Sequence, residues 1–277
     1  GGILKGIGVA MGTVAVAAGA AAIKLGKEVV TQFGELEQNL GGSEAVFGAY
    51  AASIQKTGEE AYRNLGISQS EYLATANKMG ALFQGSGIEQ RKSLELTEKA
   101  MQRAADMASV MGIDMSAAME AVTGAAKGNF TMMDNLGVAM NATNIEAYAL
   151  AKGLDFTWNT ATQAEKAEVA MQMFFENTQQ YAGNFAREST ETISGSIGLL
   201  QAALGSFTAG LGNANADMTN LTENLVVAFR AVVKNIVPVL ENIVTALPPA
   251  FDAILTAIGD LLPMLLETVT SLFTQVL

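Results

Sequence analysis

The sequence predicts an all-α, multi-helix protein, with a central helical region flanked by two apolar, membrane-like helical segments. Half of the 277 residues are hydrophobic, and Ala, Leu, Val and 14 Met supply most of them, while aromatic residues make up only 6%. Pro occurs only 4 times, and a chain rich in Ala, Met, Leu, Glu and Gln favours helix. Strand-rich domains usually carry more aromatic and β-branched residues and frequent turn signals, and few such runs occur in this sequence.

The first predicted element, residues 1–27, is a small-residue apolar helix. Residues 6–23 are eighteen consecutive uncharged residues, a length at the threshold for a membrane span. Gly8, Gly12 and Gly19 contribute to a face of small residues, which lets helices approach closely. A membrane span and a tight helix–helix seam in a soluble assembly fit this pattern equally well. A secretory signal is a third interpretation, because the apolar stretch follows a basic residue and ends in small residues.

The second element, residues 28–188, is predicted to be a central region of several short helices. Gly41 and Gly42 are expected to interrupt the first of these helices, with Ser43 as the N-cap of the next one. The central region therefore looks like a compact helical domain and not like one continuous rod.

Two capping boxes predict where helices of this region begin. Ser68 with Glu71, and Thr162 with Glu165, each place a hydroxyl residue three positions before a glutamate. In such a pair each side chain accepts a hydrogen bond from the other residue's backbone N–H group. Apolar residues at helical spacing follow both boxes, so two helix starts are expected there.

A longer amphipathic helix is predicted over residues 88–111, ending at Gly112. Its apolar side carries Leu, Met and Ala, and its polar side, which includes Arg103 and Asp106, is expected to face water. A loop-like insert is expected at residues 128–137.

The last two elements differ sharply in composition. Residues 189–219 are rich in Gly, Ser, Ala and Asn, and we expect a loosely helical linker there. Residues 220–277 form a strongly apolar segment that contains every Pro of the chain. Residues 235–247 repeat at 260–272, so we expect short apolar helices in series or one regularly kinked helix.

The absence of two residue types excludes most catalytic and metal chemistry. The chain has no Cys and no His, so disulfides, Cys/His zinc sites and His-dependent catalytic triads are impossible. We predict no catalytic residue, cofactor or metal site, and no enzyme. A net charge of −11 with scattered basic residues argues against sequence-specific nucleic acid binding. Two candidate carboxylate pairs, Glu35 with Glu37 and Glu59 with Glu60, are expected to be solvated.

Several stretches of the chain resemble the core region of tail tape-measure proteins of tailed phages and related prophages. They are FGELEQNLGGSEAVF (33–47), YLATANKMGALFQGS (72–86), AMQRAAD (100–106), GAAKGNFTMMDNLG (124–137), YAGNFAR (181–187) and GSFTAGLG (205–212). The resemblance extends over roughly residues 30–235, and the Pro-containing apolar tail also fits it. Because the chain begins with Gly and ends inside an apolar run, we expect it to be an excerpt of a longer protein.

The resemblance implies a virion protein that is stored along the lumen of the tail tube and whose length sets the length of the tail. A continuous helix of this chain would span on the order of 400 Å at ~1.5 Å per residue. The implied partners are the tail-tube protein, a tail assembly chaperone, tail-tip proteins and further copies of the chain. The implied locations are the host cytoplasm during assembly, the tail lumen in the virion and the host membrane on infection.

Two alternative functions remain open from the sequence: a membrane-inserting, pore-forming helical protein and a carboxylate-dependent, tail-associated murein hydrolase. The positions that we expect to matter are assembly positions and not a reactive site. The candidates for helix packing or membrane contact are Gly8, Gly12, Gly19, Pro238, Pro248 and Pro263.

Overall fold

The computed structural model describes the backbone of residues 2–246 and of Gly259, and the side chains of residues 24–243. Over residues 2–246 the chain forms α-helices, short 3-10 helices and connecting loops, without a β-strand, so the predicted all-α class is confirmed. The α-helices are α1 (Gly2–Phe47), α2 (Ala51–Glu59), α3 (Ala61–Leu65), α4 (Gln69–Gly85), α5 (Gln90–Met111), α6 (Met115–Ala126), α7 (Ala142–Ala151), α8 (Gln163–Asn177), α9 (Asn184–Glu191), α10 (Ile193–Leu211) and α11 (Met218–Ala246).

The chain divides into two units, Gly1–Ala231 and Val232–Leu277. The first unit buries a continuous core that is built mainly by α4, α5, α6 and α8 together with the end of α1. Methionine fills much of this core, because its flexible thioether adapts to irregular gaps. The largest fully buried side chains are Tyr62, Tyr72, Phe47, Phe83, Phe174, Ile54, Leu65, Leu73, Met79, Met101, Met107 and Met133.

The two helix starts that the capping boxes predict are present. The hydroxyl of Ser68 accepts from the backbone N–H of Glu71 at 3.3 Å, and the Glu71 carboxylate accepts from the backbone N–H of Ser68 at 2.8 Å. Thr162 and Glu165 form the same reciprocal pair at the start of α8. Helix α5 ends where predicted, at Gly112, whose φ of +64° is a left-handed conformation that Gly adopts without strain. Both capping boxes and this helix end are therefore confirmed.

The predicted interruption of the first helix at residues 41–42 is wrong, because α1 continues through it to Phe47. Gly42 lies against α4, where a β-carbon would come within 2.6 Å of Nδ2 of Asn77. The hydroxyl of Ser43 donates to a backbone carbonyl of the preceding turn and accepts from Nε2 of Gln55 at 3.0 Å. Ser43 is thus not an N-cap, and Gly42 serves close helix packing rather than ending the helix.

The structure also differs from the linker predicted at residues 189–219. Most of this segment is the regular helix α10, which packs against α1, α3, α4 and α9. Its small residues allow that packing: a β-carbon at Gly205 would lie 3.2 Å from Cβ of Ser68, and one at Gly212 would lie 2.5 Å from Cβ of Phe33. A composition rich in Gly, Ser and Ala therefore indicates tight helix contacts here and not a flexible boundary.

Within the second unit the described residues are the last part of α11, up to Ala246, and Gly259. Pro238 lies inside this helix, and the exposed Val233, Val237 and Val239 are close to it in sequence.

Candidate functional site

The first candidate site is a buried polar cluster on α5, centred on Arg103 and Asp106. Their exposed fractions are 6% and 1%, so the prediction that both face water is wrong. Nε of Arg103 lies 3.9 Å from a carboxylate oxygen of Asp106, one helical turn away. Nη1 of Arg103 also donates to the carbonyl of Phe175 and to the hydroxyl of Thr178, each at 2.8 Å. Two buried charges are tolerated because each has a partner and further hydrogen bonds.

Asp106 uses its two oxygens to hold the start of α9. One accepts from the backbone N–H of Gly183 at 3.0 Å, and the other accepts from the backbone N–H of Phe185 at 3.2 Å. Burial lowers the pKa of Arg103, and the negative charge of Asp106 counteracts that shift. Arginine nevertheless stays charged in proteins, so the pair is ionic.

Ser109, one turn further along α5, extends this cluster towards α9. Its hydroxyl donates to the carboxylate of Glu188 and accepts from Nδ2 of Asn184. We refer to Arg103, Asp106 and Ser109 together with their partners on residues 175–188 as the α5–α9 latch. Every charge in the latch is used in an internal contact, so the arrangement suits holding two segments together rather than reacting with a substrate.

The stretches quoted for the family resemblance meet one another in the first unit. Asp106, from one of them, binds Gly183 and Phe185 from another. At the crossing of α1 and α4 a β-carbon on Gly80 would lie 2.3 Å from Cζ of Phe47, and these two residues again come from different stretches. These short motifs are therefore positions where helices contact each other closely.

A polar cavity of about 280 Å³ lies between α1, α2, α10 and the start of α11. Glu59 and Asp217 supply its carboxylates, and six amide side chains complete much of the lining: Gln55, Gln69, Asn213, Asn215, Asn220 and Asn224. The four glutamates of the two candidate pairs are all exposed: Glu35, Glu37, Glu59 and Glu60. Of these four, Glu59 lines the cavity. The expectation that the four glutamates lie at the surface is thus confirmed.

A second concavity, which we call the aromatic groove, lies beside the loop between α6 and α7. It has a volume of about 820 Å³ and is lined by Gly128, Asn129, Phe130, Thr131, Asp134, Ala139, Met140, Asn141, Ala142 and Trp158. Sequence reasoning identified the loop at residues 128–137 but not the groove. The sequence carried a signal for it, because the single Trp of the chain follows this loop by about twenty residues.

The structure describes the surroundings of only some of the positions predicted for helix packing or membrane contact. Gly8, Gly12 and Gly19 lie on α1, but the side-chain environment of residues 1–23 is outside the described part of the chain. Pro248 and Pro263 also lie outside the described residues, whereas Pro238 is exposed inside α11. In the part of the chain that is described, no helix combines the length and the apolar character needed to cross a membrane.

Comparison of the chain with family models, with curated proteins and with solved structures gives no match in any of the three.

Proposed function

We propose that this chain is the core region of a phage or prophage tail tape-measure protein, which sets tail length, scaffolds assembly of the tail tube and assists genome delivery. The observation that carries the proposal is the family resemblance of six stretches, several of which pack against each other in one folded unit. Phe33 and Phe47 of the first stretch contact Gly212 and Gly80 of two others. The residues that carry the resemblance lie at helix contacts, and such positions determine how helices pack. The resemblance therefore supports the same helix packing in this chain and in the tape-measure proteins.

A second observation supports a role in assembly. Helix α10 has no charged residue over its whole length, although part of its surface faces solvent. Ile193, Ile197 and Leu204 recur at helical spacing and are 39%, 40% and 40% exposed. These three side chains form a partly exposed apolar stripe along one face of α10, to which we assign contact with an assembly partner. The partners that the proposal assigns are the tail-tube protein, the assembly chaperone, tail-tip proteins or a further copy of the chain.

The two units contribute differently to tail length in this proposal. A folded unit of about 230 residues has a radius of gyration of roughly 17 Å. As a continuous helix the same residues would extend over roughly 345 Å. The first unit therefore adds far less length while it stays folded than it would as a continuous helix, and it acts as an assembly element. The second unit, residues 232–277, adds up to roughly 70 Å if it is helical throughout and measures length.

The apolar segments of the chain serve genome delivery in this proposal. We assign contact with the host membrane on infection to the apolar segments 6–23 and 235–277, because such segments are unfavourable in water without a covering partner. The protein would then occupy the host cytoplasm during assembly and the tail lumen in the virion. No catalytic step is part of this function.

The test is tail length, measured by electron microscopy in particles whose full-length gene lacks the codons for residues 232–277. We expect tails shortened by up to roughly 70 Å. A matched variant that carries residues 232–277 twice in tandem should lengthen the tail by the same amount. Unchanged length in both variants with lost infectivity would reject the measuring role of this unit and assign it to delivery. Normal length and normal infectivity in both would reject a tail function for the segment altogether.

The two alternative functions are distinguished by separate experiments on the isolated chain. Release of a dye from liposomes would favour a pore-forming protein. Clearing of purified cell walls that is lost in Glu59→Gln but kept in the neighbouring Glu60→Gln would favour a murein hydrolase, because Glu59 and not Glu60 lines the polar cavity.

A further inference from the structure

The aromatic groove combines a rigid aromatic wall with hydrogen-bonding groups that have no internal partner. Trp158 forms the wall together with Phe130, whose ring centroid lies 5.8 Å away in an edge-to-face arrangement. Phe156 approaches the same indole at 6.3 Å, and Nζ of Lys166 lies 5.2 Å from its centroid. The backbone N–H of Trp158 donates to the carboxylate of Glu146 at 2.8 Å. The ring is therefore fixed by contacts from several directions before any ligand arrives.

The polar side chains of the groove are also held in place. Oδ1 of Asn129 accepts from the backbone N–H of Thr131 at 3.2 Å, and Oδ1 of Asn141 accepts from the backbone N–H of Asn144 at 2.9 Å. Each amide thus keeps its NH₂ group as a donor for a ligand. Within residues 24–243, no side chain or backbone group forms a hydrogen bond with the Asp134 carboxylate, the Thr131 hydroxyl or the Trp158 indole N–H. A ligand that fills the groove would meet several oriented donors and one charged acceptor.

The charge of the lining narrows the class of ligand. Asp134 is its one ionisable side chain, and no Lys or Arg lines the groove. Lys166 contacts the Trp158 ring but does not line the groove, and Asp134 together with the net charge of −11 disfavours a phosphate, nucleic acid or acidic sugar. A neutral ligand with many hydroxyl groups and an apolar face would satisfy both the aromatic wall and the polar groups.

We propose that the aromatic groove binds a neutral oligosaccharide. A pyranose ring presents C–H groups on its face, which pack on aromatic and aliphatic side chains such as Trp158, Phe130 and Met140. Its hydroxyl groups accept from the amides of Asn129 and Asn141 and donate to the carboxylate of Asp134. The volume of about 820 Å³ lies within the range of roughly 300–1,000 Å³ that is typical of small-molecule sites. The proposal is independent of the tail role, since it rests on the groove alone.

The single Trp of the chain makes the test direct, because all indole fluorescence comes from the wall of the groove. The full 277-residue chain is titrated with cellotetraose and with tetra-N-acetylchitotetraose, and binding is checked by calorimetry. We expect a saturable change in Trp158 fluorescence with at least one of the two sugars. Asp134→Ala should weaken that binding by about tenfold or more, because it removes a charged hydrogen-bond acceptor.

Asp155→Ala is the matched control, since it removes another exposed carboxylate of the same region that does not line the groove. It should leave the affinity unchanged, and both variants should melt at the temperature of the parent chain. The proposal is overturned if neither sugar gives saturable binding, or if Asp134→Ala and Asp155→Ala bind the sugar equally well. Saturable binding of a hexaproline peptide in place of both sugars would also overturn it and assign the groove to extended peptides.

Discussion

Gly80 of α4 packs directly onto the ring of Phe47 at the end of α1. A β-carbon at position 80 would lie 2.3 Å from Cζ and 2.6 Å from Cε1 of that ring, closer than real β-carbons approach other atoms. Because Phe47 is itself fully buried, the ring has little room to move away. The distance between α1 and α4 at this crossing is thus set by the absence of a side chain at position 80.

We expect Gly80→Ala to lower the free energy of unfolding by about 1–3 kcal/mol, as overpacking of a core does. Gly34→Ala in α1 is the matched control, since nothing lies within 4 Å of its β-carbon position. It should instead stabilise the chain by about 0.5–1 kcal/mol through higher helix propensity. Urea unfolding followed by circular dichroism measures both. If Gly80→Ala were as stable as Gly34→Ala, the close contact would not exist in solution.

Removal of Asp106 from the α5–α9 latch should be among the most damaging single changes in the chain. Asp106→Ala leaves the buried Arg103 without its carboxylate partner and leaves two backbone N–H groups without an acceptor. We expect the free energy of unfolding to fall by about 3–5 kcal/mol. Glu95→Ala on the same helix breaks the exposed Arg91–Glu95 pair and should cost less than about 0.5 kcal/mol. Similar losses in the two variants, measured by urea unfolding, would contradict the buried ion pair.

Acidification should loosen the start of α8 before the core unfolds. Hydrogen bonds from the backbone N–H and the hydroxyl of Thr162 hold the pKa of Glu165 below its usual range. A carboxylate whose pKa is lowered in the folded state stabilises the fold at pH values above its ordinary pKa, which is about 4.3 for Glu. This contribution is lost as the pH falls through the folded-state pKa. Amide exchange at Glu165 and Lys166, whose N–H groups donate to Thr162, should therefore accelerate below about pH 4 after correction for intrinsic rates.

Thr162→Ala provides the control for that experiment. It removes one of the two donors to Glu165, so the pKa of Glu165 should rise towards its ordinary value and fraying should begin at a higher pH. Identical exchange profiles for the parent chain and Thr162→Ala would show that the capping box does not control this helix end.

The apolar stripe of α10 should matter for assembly more than for folding. Ile197→Gln and Leu204→Gln replace side chains that are already 40% exposed, so each should cost only about 1 kcal/mol of stability. In the full-length gene, the double variant should reduce the yield of tailed particles severalfold, counted by electron microscopy. Leu150→Gln, which changes an exposed apolar side chain on α7 in the same way, should leave the yield unchanged. Normal yields of tailed particles with the double variant would show that the stripe is not part of an assembly interface.

Three local signals in the sequence predicted local structure correctly, whereas the helix break predicted at Gly41 and Gly42 was wrong. The capping boxes at Ser68 and Thr162 and the helix end at Gly112 depend on residues within one turn, and all three are present. The burial of Arg103 was not predicted, because its partners Phe175 and Thr178 lie more than 70 positions away in sequence. A charged residue on the polar side of an amphipathic helix looks solvated unless such distant partners are known.

The same limit applies to the candidate sites. The aromatic groove joins the loop after α6 to Trp158, which lies beyond α7, and no sequence spacing predicts that contact. The roles of two glycines were predicted wrongly for a related reason. In the sequence Gly42 looks like a helix break and Gly205 looks like a linker residue. In the fold Gly42 lies against Asn77 and Gly205 lies against Ser68. Only the packed structure therefore distinguishes a glycine that ends a helix from one that allows another helix to pack closely.

The contact between Gly212 and Phe33 has a consequence for synthesis of the chain on the ribosome. At ~5–20 residues per second, roughly 10–35 seconds pass between the addition of Phe33 and that of Gly212. During that time the face of α1 that α10 covers is exposed on the nascent chain. The first unit therefore cannot complete its fold until Gly212 has been added, and its first helix lacks the contact with α10 until then.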